Sequence, residues 1–183
     1  MLFFAGNVEG QQDTIWQASL SVRHGLEIVP STGIPFRLSS IEAKIAKGTH
    51  TLVPSIAHKT IHGIDGRQLG LASYKKWKWG YANVDLFYSP SPIFPKWVCT
   101  TNVYKTLGRG LEVNIGASRI SYTDGLRLRV LSVGGTFYVG SWMWTYRLRL
   151  PNVGFLAHSF SLRKYLRTAG DYLGFRLTKG LDG

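Results

Sequence analysis

No stretch of this chain approaches the 18 or more consecutive apolar residues that a membrane-spanning helix needs. Any crossing of a bilayer must therefore be made by strands, since only helices and closed barrels satisfy the backbone within lipid. Charge is also scarce, at 17% of residues, and acid is scarcer still: 10 Asp+Glu stand against 22 Lys+Arg, a net +12. One cysteine, Cys99, excludes an internal disulfide and any Cys-based zinc site. The opening Met1-Leu2-Phe3-Phe4-Ala5-Gly6 has neither the basic segment nor the longer apolar run of an export leader. The expectation is a mature chain or a fragment.

Glycine (21 residues), aromatics (13%) and a 44% hydrophobic content are plentiful, a balance that favours β-structure with many turns over disorder or a helical fold. Mean hydropathy is close to zero, at -0.02. That value suits strands in which every second residue faces lipid and the others a polar lumen, because the average cancels while the alternation survives. The excess of cations implies a polyanionic neighbour, for which nucleic acid and lipopolysaccharide both qualify.

Period-two alternation recurs along the chain. Trp16, Ala18, Leu20 and Val22 form one face of a first run, followed by a loop from His24 to Gly33. Ile34, Phe36 and Leu38 then change phase to Ile41, Ala43 and Ile45, which predicts a bulge near Ser39-Ser40. The third run, Thr51 to Ile61, contains Pro54 and calls for a bulge or strand end there. The fourth, Gln68 to Lys75, follows a loop from His62 to Gly66. In the fifth, Ala82, Val84, Leu86 and Tyr88 oppose Tyr81, Asn83, Asp85 and Phe87. A Pro-rich loop, Ser89 to Lys96, leads to a sixth run, Trp97 to Thr106, and a seventh sets Leu111, Val113, Ile115 and Ala117 against Glu112, Asn114, Gly116 and Ser118. The eighth sets Leu126, Leu128 and Val130 against Arg127 and Arg129, and the ninth sets Trp142, Trp144, Tyr146 and Leu148 against Met143, Thr145, Arg147 and Arg149. The tenth has Leu156, His158, Phe160 and Leu162 opposite Ala157, Ser159, Ser161 and Arg163. After a turn at Thr168-Ala169-Gly170-Asp171, Leu173, Phe175 and Leu177 oppose Arg176 in the eleventh.

The connections are longer after odd runs and shorter after even ones, as in outer-membrane barrels with long extracellular loops and short periplasmic turns. The fold class expected is thus all-β, an antiparallel up-and-down transmembrane barrel, with residues 1–12 a periplasmic segment and 13–183 the barrel. Single-chain bacterial barrels have even strand counts, so eleven runs imply either about twelve strands with the closing one missing or a miscount in the irregular third run.

A charge facing lipid at mid-bilayer costs roughly 2 to 4 kcal/mol. Asp85, Glu112, Arg127, Arg129, Arg147, Arg149, Arg163 and Arg176 are therefore assigned to the lumen, more as a salt-bridged plug than as a pore or ligand site. Trp97, Tyr138, Trp142, Trp144 and Tyr172 lie near strand ends, where amphipathic rings suit the membrane interface. The patch Lys75-Lys76-Trp77-Lys78-Trp79 has the composition of a base-stacking surface but no accompanying nucleic-acid motif. Adjacent His158 and Ser159 point to opposite faces of a strand and cannot pair, and His50, His58 and His62 lack a carboxylate or thiol at ligand spacing. No catalytic residue, metal or cofactor is assigned.

The motifs Tyr88-Ser89-Pro90 with Phe94-Pro95, Tyr104-Lys105-Thr106-Leu107-Gly108-Arg109-Gly110-Leu111-Glu112, Tyr138-Val139-Gly140, Leu162-Arg163-Lys164-Tyr165 and Asp171-Tyr172-Leu173-Gly174 occur in that order. Through them the chain resembles the YaiO-type family of outer-membrane β-barrel proteins, most clearly from Gln68 to Phe175. The resemblance implies a bacterial outer-membrane location and carries no catalytic residues. The expected function is non-enzymatic, in the cell envelope or in passage of a solute or polysaccharide, with an anionic solute or polysaccharide counted among the partners. Expected partners are outer-membrane lipids and lipopolysaccharide, and not nucleic acid. A barrel enzyme acting on lipopolysaccharide or phospholipid and a soluble nucleic-acid-binding barrel are the alternatives.

Overall fold

Alternating sequences rich in β-branched and aromatic residues pair with their chain neighbours when the links between them are short, because a tight turn returns the chain antiparallel to itself. The computed structural model describes residues 15–29, 34–166 and 171–180 and shows that arrangement throughout. Its strands are β1 (Gln17–Val29), β2 (Ile34–Lys47), β3 (His50–Ile61), β4 (Ile64–Trp77), β5 (Gly80–Tyr88), β6 (Trp97–Gly108), β7 (Leu111–Ser121), β8 (Arg127–Val139), β9 (Trp142–Pro151), β10 (Ala157–Tyr165) and β11 (Tyr172–Lys179). They form one 11-stranded antiparallel sheet in chain order, with β1 and β11 at its edges. The segment 1–12 and the turn residues 168–170 lie outside the described residues.

The two faces of the sheet are inside-out relative to a water-soluble protein. Asn83, Asn102, Glu112, Asn114 and Thr136 are buried, whereas Leu20, Ile41, Ile56, Leu71, Ile115, Val133 and Leu177 are exposed. The sheet curls towards the polar side: Tyr81 of β5 reaches Glu112 of β7, and Arg147 of β9 reaches Tyr104 of β6. The polar side is therefore the inner face and the aliphatic side the outer. Among the described residues, only Tyr104, Leu128, Met143 and Ala157 make up a buried apolar core. The stabilisation usually supplied by such a core must come from backbone pairing and from contact of the outer face with lipid.

At one end, here the turn end, four links have two residues each: Gly48-Thr49, Lys78-Trp79, Arg109-Gly110 and Gly140-Ser141. At the other, the loop end, the links at 89–96, 122–126 and 152–156 are longer. Two links depart from the expected alternation. His62-Gly63 is a two-residue turn at the loop end, with φ 52 and 75, the left-handed pair that matches hairpin twist. The β10–β11 link, 166–171, is long although it lies at the turn end.

Neither expected irregularity in β2 and β3 occurs. Pairing runs through Ser39↔His58 and Ser40↔Ala57 without a shift, so there is no bulge. Pro54 pairs with Leu71 in unbroken register, and the β2–β3 ladder simply omits the residues opposite Val53 and Pro54. The loop expected from His24 is strand as far as Val29, with residues 30–33 outside the described part.

The phase change in β2 has a different cause, which recurs in β8. Strands of 13 or 14 residues, such as β2, β4 and β8, exceed the roughly 9 to 11 that cross a bilayer. Their excess lies at the loop end, where the polarity of the faces inverts. Phe36, Leu38, Ile120 and Leu128 turn inward there, and Arg37, Arg67, Arg119, Arg127 and Arg129 turn outward. Arg127 and Arg129 are thus not lumen-lining; both are exposed on the outer face, because above the lipid the sheet follows the apolar-in rule of water-soluble proteins.

Ile115, 65% exposed in the middle of β7, tests the assignment of the faces. Ile115→Arg is expected to lower unfolding free energy in lipid vesicles by about 2 to 4 kcal/mol, measured by denaturant titration. Ser118→Arg, on the inner face of the same strand, is expected to cost much less.

Candidate functional site

The inner face near the turn end collects the polar chemistry of the molecule. Parity alone brings it together: Tyr81, Asn83 and Asp85 on β5, Asn102 and Tyr104 on β6, Glu112 and Asn114 on β7, and Met143, Arg147 and Arg149 on β9 all share the inward phase. Tyr81 and Tyr104 stack with centroids 4.2 Å apart and planes 10° from parallel. The Tyr81 hydroxyl donates to Glu112 Oε1 at 3.2 Å, the Asn83 amide to Asp85 Oδ2 at 2.6 Å, and Arg147 to the Tyr104 hydroxyl at 3.4 Å. Thr100 with Ser118, at 2.9 Å, and Thr136 with Thr145, at 3.1 Å, extend the polar wall.

Close packing of this wall relies on glycine. A β-carbon at Gly116 would collide with the Asn102 amide and Ser132 hydroxyl, and one at Gly134 with the Asn114 amide. At the loop end the 89–96 link folds onto the same face. Ser89, fully buried, donates to the Arg67 carbonyl at 2.6 Å, and Ser91 and Ile93 fill the space that Gly66 leaves by lacking a side chain.

Asp85, Glu112, Arg147, Arg149, Arg163 and Arg176 all lie on the inner face, as their strand phase requires. Arg23 pairs with Glu42 at 3.2 Å and His58 with Asp65 at 3.4 Å. Neither joins Arg147 or Arg163 to Asp85 or Glu112; Arg147 meets the Tyr104 hydroxyl and Glu112 the Tyr81 hydroxyl instead. Asn83 Oδ1, Asp85 Oδ1, Asn114 Nδ2, Arg147 Nε and one Arg163 terminal nitrogen are buried with no hydrogen-bond partner among the described residues. Such groups require water or a polar solute to satisfy them.

The tryptophans keep to one side of the sheet. All 6 tryptophans, Trp16, Trp77, Trp79, Trp97, Trp142 and Trp144, are exposed. Lysine ammoniums sit over two of them, Lys47 over Trp16 at 5.1 Å and Lys164 over Trp142 at 4.8 Å. Trp77 and Trp79 of the basic turn stack on one another at 5.5 Å. Tyr138 and Tyr172, expected at the membrane interface, instead face inward, Tyr138 opposite Met143 and Tyr172 under the Arg163 guanidinium at 4.7 Å. Nearness to a strand end placed them with the tryptophans; their parity places them with Tyr74, Tyr81, Tyr104 and Tyr165. Parity along each strand is the sequence signal that marks these inward tyrosines.

His158 lies on the outer face, its Nδ1 2.6 Å from the Tyr146 hydroxyl, and Ser159 on the inner. His50 and His62 stand at opposite ends of β3. No histidine of the described residues shares the inner face with Ser159 or Ser161.

Glu112 is 8% exposed and takes its hydrogen bond from Tyr81. Tyr81→Phe is expected to lower unfolding free energy by about 1 to 3 kcal/mol, the cost of leaving a buried acceptor short of its donor. Glu112→Gln, which keeps an acceptor without the charge, is expected to cost less, both variants being measured by denaturant titration in lipid vesicles.

A family model described as the YaiO membrane beta barrel domain matches residues 17–183, which runs from the first residue of β1 through all eleven strands. Comparison with curated proteins and with solved structures returned no match. With an aliphatic outer face, a polar inner face and a family match over nearly the whole chain, this protein is a membrane β-barrel protein and belongs to the YaiO family.

Proposed function

We propose that the protein is a non-enzymatic wall of a bacterial outer-membrane barrel that admits an anionic solute, with the turn end in the periplasm and the loop end outside. The observation that carries the reading is the pair Arg147 and Arg163, on the inner face with buried guanidinium nitrogens lacking a partner among the described residues. A cation held this way, without a neutralising carboxylate, lowers the electrostatic barrier to an anion and raises it to a cation. The inequality of the links supports the orientation, since outer-membrane barrels carry their longer loops outside. The stacked tyrosines and unsatisfied amides give a sugar or other polyhydroxylated anion both ring faces and hydrogen-bonding groups. The separation of Ser159 and Ser161 from every described histidine supports the non-enzymatic part of the proposal.

Conductance across planar bilayers under a salt gradient tests it. The reversal potential is expected to show anion preference, and Arg147→Gln with Arg163→Gln is expected to abolish that preference while leaving the heat-shifted folded band on gels. A cation-selective pore, or anion preference unchanged in the double variant, would contradict the proposal.

A further inference from the structure

The loop end of the outer face carries a cationic cluster that the inner-face reading leaves unused. Along β7 and β8 the outward pairs are Ile115↔Val133, Ala117↔Leu131, Arg119↔Arg129 and Ser121↔Arg127. Successive pairs are spaced about 6.6 Å apart along the strands, so the surface passes from aliphatic to strongly cationic within a single pleat repeat. Arg119 and Arg129 are directly opposed, with β-carbons about 5 Å apart, and Arg127 lies on the diagonal from Arg119. All three are exposed.

Like charges placed directly across a ladder destabilise it unless a counter-ion lies between them. Among the described residues none of the three arginines has a salt bridge. The nearest carboxylate in sequence, Asp124, accepts the backbone N–H of Leu126 at 3.0 Å. Asn152 meets Arg129 through its backbone only, accepting from its N–H at 2.7 Å and donating to its carbonyl at 2.8 Å, so the guanidinium is left for another partner. A second observation fixes the depth. Trp97, 53% exposed, faces outward beside Ser121, the position that an interfacial ring takes at the headgroup level.

We infer that Arg119, Arg127 and Arg129 form a binding site for the phosphate headgroup of an anionic lipid in the leaflet that meets the loop end. The aliphatic pairs below the cluster hold the acyl chains, and the guanidiniums supply paired N–H donors to phosphate oxygens. The inference rests on the membrane-spanning fold but not on what passes through the lumen.

Native mass spectrometry of the full chain refolded in detergent tests the site, with lipid A as the probe and phosphatidylcholine as the zwitterionic control. The wild type is expected to retain lipid A in preference to phosphatidylcholine. Arg119→Gln with Arg129→Gln is expected to reduce that retention at least roughly tenfold, the loss of one charge-assisted hydrogen bond. Lys75→Gln with Lys105→Gln, at the other end of the outer face, is expected to leave it unchanged. If the double arginine variant loses the heat-shifted folded band, Arg127→Gln is expected to give a smaller loss in the same direction. Equal retention in the arginine variants would overturn the proposal, as would release of lipid A by millimolar inorganic phosphate, which would mark a free-anion site. A wild-type chain with no heat-shifted band would instead overturn the membrane fold on which the site depends.

Discussion

Backbone pairing between neighbouring strands is the interaction on which everything else here depends. Lipid offers no hydrogen bonds, so each N–H and C=O of a crossing strand must be met by the next strand, and the eleven described strands are committed to one continuous ladder. Once the ladder is set, the pleat leaves each side chain one of two faces, and parity decides which. The inner wall of Asn83, Asn102, Tyr104, Glu112 and Asn114 and the outer sheath of Val84, Val103, Ile115 and Val133 are two readings of one register. A slip of one residue in any ladder would exchange them.

The same register carries a boundary as well as a partition. The outer face is aliphatic only through the length of strand that lipid covers; beyond it Arg37, Arg67, Arg119 and Arg129 turn outward and Phe36, Leu38, Ile120 and Leu128 turn inward. Tryptophan keeps to the outer face, and the tyrosines of the turn end face inward, where their hydroxyls meet Glu112 and Arg147. An indole N–H at the interface can bond to water or headgroup, while a phenol on the inner face can donate to a carboxylate and accept from a guanidinium.

The strand order, the antiparallel meander and the inward phase of Asp85, Glu112, Arg147, Arg149, Arg163 and Arg176 were legible because alternation and short links are local properties of the chain. Arg127 and Arg129 were misread because alternation shows that two faces differ, not which one meets lipid. Leu126, Leu128 and Val130 look like a lipid face until pairing with Ser118 and Ile120 shows that Leu128 and Val130 point inward. The supposed bulge at Ser39-Ser40 has the same origin, a change of solvent read as a change of register. Tyr138 and Tyr172 were placed by nearness to a strand end, when parity carried the information. The stack of Tyr81 on Tyr104 and the fold of the 89–96 link over Gly66 depend on curvature and on contacts outside the local alternation, which no reading of a single strand supplies.

Spin-label accessibility along β7 tests the central claim most directly. Single cysteines in a Cys99→Ser background, read in vesicles against oxygen and a polar relaxation agent, should show lipid access at Val113, Ile115 and Ala117. Asn114 and Ser118 should be open to the polar agent, and Arg119 should leave the lipid pattern although it shares the parity of Ile115. A flat profile, or lipid access at Asn114 and Ser118, would contradict the account.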